Sequence, residues 1–145
     1  MYPHILLLPI IAGALAQSIK LFTQKGGKKF NYKRILAYSG MPSGHSAMVI
    51  SLTTIVCLEE GLKSPLLAIC VILSIVVIRD ALGIRRYLGQ HGNILNILVK
   101  DLKDDALLDE SYPHLLEKIG HTPEQVLAGI LLGFFVSLLG YSFFI

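Results

Sequence analysis

SGHSAMVISLTTIVCLEEGLKSPLLAICVILSIVVI, residues 43–78, holds the decision about the fold. Two apolar runs flank a short polar break. The first begins around Ser43 to His45 and ends near Glu59, Glu60 and Gly61; the second runs from about Pro65 to Ile78, where Arg79 and Asp80 follow. With roughly 14 apolar residues each, either run alone fits a buried core helix as well as a membrane span. Their setting favours spans, because longer hydrophobic segments lie on both sides and their polar ends can reach the headgroup layer.

Outward from this pair, the run from Tyr2 to about Phe22 is long enough at about 1.5 Å per residue to cross a ~30 Å hydrocarbon layer. Pro9 is expected to kink it or fray its first turns. Without a basic region before it or a small-residue cleavage site after it, this run is expected to be a retained first span and not a signal peptide. The run from about Val126 to Ile145 is another span, with Gly129, Gly133 and Gly140 available for close helix packing. Between the spans, KGGKKFNYKR (Lys25 to Arg34) is excluded from hydrocarbon by its glycines and charges, and the acidic stretch DLKDDALLDESYPH (Asp101 to His114) is expected to be a solvated loop or short helix. From Ile84 to Lys103, Ile84, Leu88, Leu95, Leu98 and Leu102 recur at helical spacing, with Arg85, Arg86, Asn93, Asn96 and Lys100 elsewhere around the wheel. That pattern suits a helix lying in the interface. The fold expected is all-α: a bundle of about four short transmembrane helices plus one interfacial amphipathic helix, in a single domain over residues 1–145.

Composition agrees. The chain is 53% hydrophobic and 16% charged, which is unusual for a water-soluble domain. Trp is absent, so aromatic anchoring falls to Tyr2, Tyr38, Tyr87, Tyr112 and Tyr141. Cys57 and Cys70 lie inside apolar segments without metal-ligand spacing and read as small buried residues. The basic residues sit beside membrane-length segments, not along an aromatic-interleaved groove, which argues against a nucleic-acid partner. Four spans place the first connection and the long third connection on one side. Lys20, Lys25, Lys28, Lys29, Lys33, Arg34, Arg79, Arg85, Arg86, Lys100, Lys103 and Lys118 gather there, against Lys63 alone on the other. The positive-inside rule makes that side cytoplasmic.

Three polar clusters fall on this same side. They are Gly40-Met41-Pro42-Ser43-Gly44-His45-Ser46, Arg79-Asp80 with Arg85-Arg86, and Gly120-His121-Thr122-Pro123-Glu124-Gln125. Much of this is helix capping: Thr122, Pro123 and Gln125 have the spacing of a capping box with proline at the first helical position, and Ser43 can cap the second span. Arg85 and Arg86 can equally be interfacial anchors. Capping does not account for a histidine at both helix starts. A helix start offers free N–H groups and a positive dipole end to an anion, and Gly44 lets the backbone approach it. Arginine and lysine would spread over the oxygens of a transferring phosphoryl group. One imidazole would attack phosphorus while neutral, and the other, protonated, would supply a proton to the leaving alcohol.

PSGH (Pro42 to His45) and HTPEQVLAG (His121 to Gly129) resemble the second and third signature motifs of the type 2 phosphatidic acid phosphatase (PAP2) and vanadium haloperoxidase superfamily. The combination GMPSGHSA, RDALGIRR with GQ and LN following, and GHTPxxVxxG is similar to its small divergent branch of bacterial and plastid membrane proteins. The resemblance covers most of the chain from Lys20 to Gly133. It implies His121 as the phosphorylated nucleophile, His45 as the general acid, Ser43 and Gly44 as phosphate-holding residues, and chemistry without metal or cofactor. It implies a bacterial inner membrane or a plastid-type membrane as the location. Three departures accompany it. Leu115 stands where the superfamily has an arginine six residues before the nucleophile; no Arg-Pro follows Lys20, which otherwise matches the first-motif lysine; and Gln125 replaces the aspartate that orients the nucleophile. Gln125, Glu124 or Asp80 would then orient His121, and Arg79, Arg85 or Arg86 would stand in for the missing arginines.

The function expected is a lipid-phosphate phosphatase acting on a phosphomonoester or pyrophosphate headgroup, such as phosphatidylglycerophosphate, phosphatidate or a polyprenyl (di)phosphate. Competing with it are a catalytically inactive phosphate-lipid binding or transport protein and a structural membrane subunit. The partners expected are a membrane lipid phosphate and the bilayer itself, and short spans exposed to lipid on several sides are compatible with a homodimer.

Overall fold

The computed structural model describes residues 3–23, 40–104, 114–117 and 119–143. Five helices occur among them: α1 Pro3–Thr23, α2 Gly44–Glu60, α3 Pro65–Leu82, α4 Ile84–Asp104 and α5 Pro123–Tyr141. The basic linker Lys25 to Arg34, the acidic connection beyond Asp104 as far as Pro113, Lys118 and the anchors Tyr2, Tyr38 and Tyr112 lie outside the described residues.

The helices begin where the local chemistry dictates. Ser43 caps α2, its hydroxyl accepting the Ser46 N–H, and Gly61 ends the helix at φ 77°. Ser64 caps α3 with Pro65 in its first turn. Thr122 and Gln125 close a reciprocal capping box on α5, with Pro123 at the start. Two boundaries depart from expectation. α3 continues past Ile78 to Leu82, so Arg79 and Asp80 lie within its last turn, and the Gly83 N–H closes it on the Arg79 carbonyl. A charged pair does not stop a helix whose long side chains can reach the headgroup layer. α1 starts at Pro3, six residues ahead of Pro9, so its first turns are not frayed. They are held by packing, since His4 and Leu8 are buried and His4 contacts Glu59 of α2.

α2 is the central helix, touched by α1, α3 and α5. Paired positions give the directions. His4 meets Glu59 while Gly44 faces Ala16, so α1 runs antiparallel to α2. Hydroxyls of Thr53 and Ser74 both bond the Val49 carbonyl where antiparallel α3 crosses. α5 runs parallel to α2: Gln125 pairs with Ser43, Gly133 with Ala47, Ser137 with Ser51 and Tyr141 with Leu58.

Lipid tails are as apolar as leucine, so packing here depends on close approach and on interhelical hydrogen bonds. The α2 and α5 backbones come close enough that a Cβ added at Gly133 would lie 2.2 Å from the Ala47 carbonyl oxygen. Below that contact the Ser51 and Ser137 hydroxyls are 2.6 Å apart, and Ser137 also donates to the Ser51 carbonyl at 2.9 Å. The buried cores are small: Ala12, Ala16 and Ala47 in one cluster, Leu8, Ile55, Val56 and Cys70 in another. Cys70 is buried and Cys57 half-buried.

The outward faces are the apolar ones, with Leu6, Ile69, Ile72 and Leu139 all more than half exposed. α1, α3 and α5 are long and apolar enough to cross a membrane, the stretch containing α3 running on to Leu102. α2, at 17 residues, is about 25 Å long. α4 makes its contacts with the bundle chiefly through α3, and Ile84, Leu88, Leu95 and Leu98 form its exposed apolar side. The protein is an all-α membrane bundle with an attached amphipathic helix.

Gly133→Leu forces a side chain into the Ala47 backbone and is expected to cost about 1–3 kcal/mol or more. Thermal melting in detergent, followed by circular dichroism, should show a clear loss for this variant and little change for Leu139→Val on the lipid-facing side. Equal melting of Gly133→Leu and the parent would contradict the close α2 and α5 contact.

Candidate active site

Parallel packing of α2 and α5 puts both helix starts at the same end of the bundle. The ends of α1 and α3 arrive there too, because both run the opposite way. The Ser43 N–H donates to the Gln125 carbonyl at 2.9 Å, and the His121 N–H donates to the Ala81 carbonyl in the last turn of α3 at 3.1 Å.

His121 immediately precedes the cap of α5 and is 3% exposed. Its ring orientation is fixed by one side chain. Gln125 Oε1 lies 3.1 Å from His121 Nδ1 and 3.2 Å from the Thr122 backbone N–H. A backbone N–H can only donate, so the atom it faces is the amide oxygen, and Nδ1 must carry its proton to bond that oxygen. In the neutral ring the lone pair is therefore on Nε2. Of the three orienting candidates, Gln125 makes this contact. Glu124 is exposed, and Asp80 is paired with Arg85.

Burial holds the His121 imidazole below its ordinary pKa, against the raising effect of the Gln125 bond; positive charge at Lys20, His45 and Arg85 adds to the lowering. His121 is thereby kept neutral near pH 7.

His45, in the first turn of α2, is exposed. Lys20, Arg85 and Asp80 act on it electrostatically. Lys20 comes from the last turn of α1 and is 5% exposed. Ser43 is fully buried, and its hydroxyl accepts from both the N–H and the hydroxyl of Ser46. Gly44 is buried against Ala16. Since the Ser43 N–H is engaged by Gln125 and the Ser46 N–H by Ser43, the donors without a partner among the described residues at this helix start are those of Gly44 and His45. Arg79 and Arg86 are exposed, and among the described residues the arginine acting on the two histidines is Arg85.

How His121 reaches this position involves a residue with no role assigned from sequence. Residues 115–117 and 119 lie along α4, and Asn96 clamps Leu115 with a two-way amide contact. Its Nδ2 donates to the Leu115 carbonyl and its Oδ1 accepts the Leu115 N–H, both at 2.9 Å. The backbone of Leu116 passes directly over Gly92, and that of Glu117 and Ile119 over Gly89. Gly120 then turns into α5 at φ 90°, where an added Cβ would stand 2.6 Å from the Arg86 nitrogen. A residue with a side chain would meet both the unfavourable φ and the Arg86 backbone. The one signal in sequence was the LN pair of the motif, whose asparagine is Asn96.

Fold and site together define a helical membrane protein that gathers two imidazoles, a lysine and an arginine at one end of its bundle. The chain belongs to the divergent PAP2 family, whose model matches residues 1–136. It is 34% identical over 149 residues to the uncharacterized membrane protein YuiD of Bacillus subtilis (strain 168), a match that covers 96% of this chain and 94% of that protein. No solved structure matches it.

Two substitutions probe this geometry. Gln125→Glu places a carboxylate on Nδ1–H, which favours imidazolium, so NMR titration should show the His121 pKa rising by about one to three units. An unchanged titration would mean that residue 125 does not hold the ring. Asn96→Ala strands the Leu115 N–H and leaves its C=O with His114 Nδ1 alone, a loss of roughly 1–3 kcal/mol. Amide exchange over Leu115 to Ile119 should then quicken by about tenfold or more, whereas the exposed Asn93→Ala should leave it unchanged.

Proposed function

We propose that the protein is a membrane lipid-phosphate phosphatase that works through a phosphohistidine on His121, its site opening on the side that the lysine and arginine bias marks as cytoplasmic. The observation that carries this reading is the buried His121, its Nδ1–H committed to Gln125 and its Nε2 lone pair left over, beside Lys20 and Arg85 and with a second imidazole at the exposed edge.

The steps balance as follows. The phosphate oxygens are met by Lys20, Arg85 and the N–H groups of Gly44 and His45, at the positive end of the α2 dipole. Nε2 of His121 attacks phosphorus, the bond from phosphorus to the lipid oxygen breaks, and protonated His45 gives its proton to that oxygen. The lipid alcohol leaves. Water then attacks the phosphohistidine, His45 takes a proton from it, the P–N bond breaks, and inorganic phosphate is released. Gln125 holds the Nδ1 proton throughout.

A second reading, a lipid-phosphate binding or transport protein without turnover, draws on two specific features. Gln125 is neutral where a carboxylate would stabilise the ring as it becomes positive, and Arg85 is already paired with Asp80.

Purified protein in detergent or nanodiscs is expected to release phosphate from a lipid phosphomonoester, with and without a metal chelator. His121→Ala should abolish release and leave no acid-labile phosphate on the chain, and His45→Ala should slow it by about 10²–10⁴-fold. The rate should fall on the acid side as His121 protonates, at a pH below the ordinary histidine range. Release that persists undiminished in His121→Ala defeats the phosphatase assignment; stoichiometric binding without release by the parent protein favours the second reading.

A further inference from the structure

Beside the histidine pair, and not lined by either imidazole, lies a cavity of about 330 Å³ bounded by Asp80, Ile84, Arg85, Leu88, Leu116 and Ile119. Its walls come from the α3 and α4 junction and from the segment that carries His121. Four of the six side chains are branched aliphatics, and the other two form the Arg85 to Asp80 ion pair. One side is therefore charged and the rest is apolar. Ile84, Leu88 and Leu116 are all more than half exposed, so the cavity opens along the apolar side of α4.

A free phosphate ion has no use for aliphatic walls, and an uncharged hydrocarbon has none for a guanidinium. An amphiphile with an anionic head satisfies both. We infer that this cavity is the chain-binding groove of the site: it takes the headgroup-proximal hydrocarbon of a long-chain phosphomonoester while Arg85 faces its phosphate. The inference rests on the phosphate site proposed above and adds where the rest of the molecule lies. Arg85 is the link, since it lines the groove and acts electrostatically on both His45 and His121. The volume is at the low end of ligand pockets, which suits a segment of one chain and not the whole tail of a two-chain lipid.

The groove does not act by removing chain from water, because a membrane lipid is already in an apolar medium. Its contribution is orientation. Holding the chain between Leu88 and Leu116 fixes the depth and direction of the phosphate relative to Arg85, which is the positioning that phosphoryl transfer depends on.

The test uses the full chain in phosphatidylcholine nanodiscs and a long-chain alkyl monophosphate carrying a photoreactive diazirine near its head. The control probe is the same diazirine alcohol without phosphate. The phosphate probe should label peptides 84–88 and 116–119 several-fold more than the alcohol does, excess unlabelled alkyl phosphate should compete this away, and Leu88→Trp, which fills the groove, should reduce it. Equal labelling by both probes, or none at these peptides, overturns the groove, and this comparison on the parent protein stands even if Leu88→Trp folds poorly. Phosphate release from a small soluble aryl phosphate is measured on the same samples. Release without head-dependent labelling removes the groove and keeps the phosphatase; labelling without release does the reverse.

Discussion

Everything at the candidate site depends on the backbone contact between α2 and α5. These helices run parallel and nearly touch through Gly129 and Gly133, so their starts cannot be staggered by more than the contact allows. Two positive dipole ends are thereby placed side by side, an arrangement that repels unless something negative lies between or above them. The serine pair at positions 51 and 137 keeps the register from below, and the Ser43 to Gln125 backbone bond keeps it at the top. A side-chain slip of one residue in α5 would break both. It would also carry His121 away from the end of α3.

The substitution of an amide for the usual orienting carboxylate is coherent with this setting. Gln125 is already required at the third position of its helix to close the capping box, and the same oxygen reaches Nδ1 of His121. One side chain thus ends a helix and sets a tautomer. Being neutral, it favours imidazolium less than a carboxylate would, so burial and the nearby cationic side chains keep the ring uncharged, which is the form a nucleophile needs. The other histidine stands at the exposed edge of the site.

Much of this was readable from the residues alone. Apolar runs, caps at Ser43 and Thr122, the amphipathic period from Ile84 onward and the two helix-start histidines are all local signals, within a turn or two of the residues they concern. What escaped was directional or distant. Arg79 and Asp80 looked like the end of α3 because charge marks a boundary on a hydropathy count, yet the helix carries them to Gly83. Spacing could not choose among Asp80, Glu124 and Gln125, since the choice depends on where each side chain points once Arg85 has engaged the aspartate. Asn96 has its partner 19 residues away, and the aliphatic groove needs two segments that no periodicity connects.

The brevity of α2 bears on how the surrounding lipid would meet this protein. A central helix of 17 residues is about 25 Å long, against a hydrocarbon thickness of ~30 Å. A helix shorter than the hydrocarbon layer is accommodated by bilayer thinning, by snorkelling of flanking side chains or by oligomerisation. Thinning at the end where α2 and α5 begin would bring neighbouring headgroups towards the level of the imidazoles. The lipid substrate proposed above would then reach the site by lateral diffusion, without being lifted out of its own monolayer.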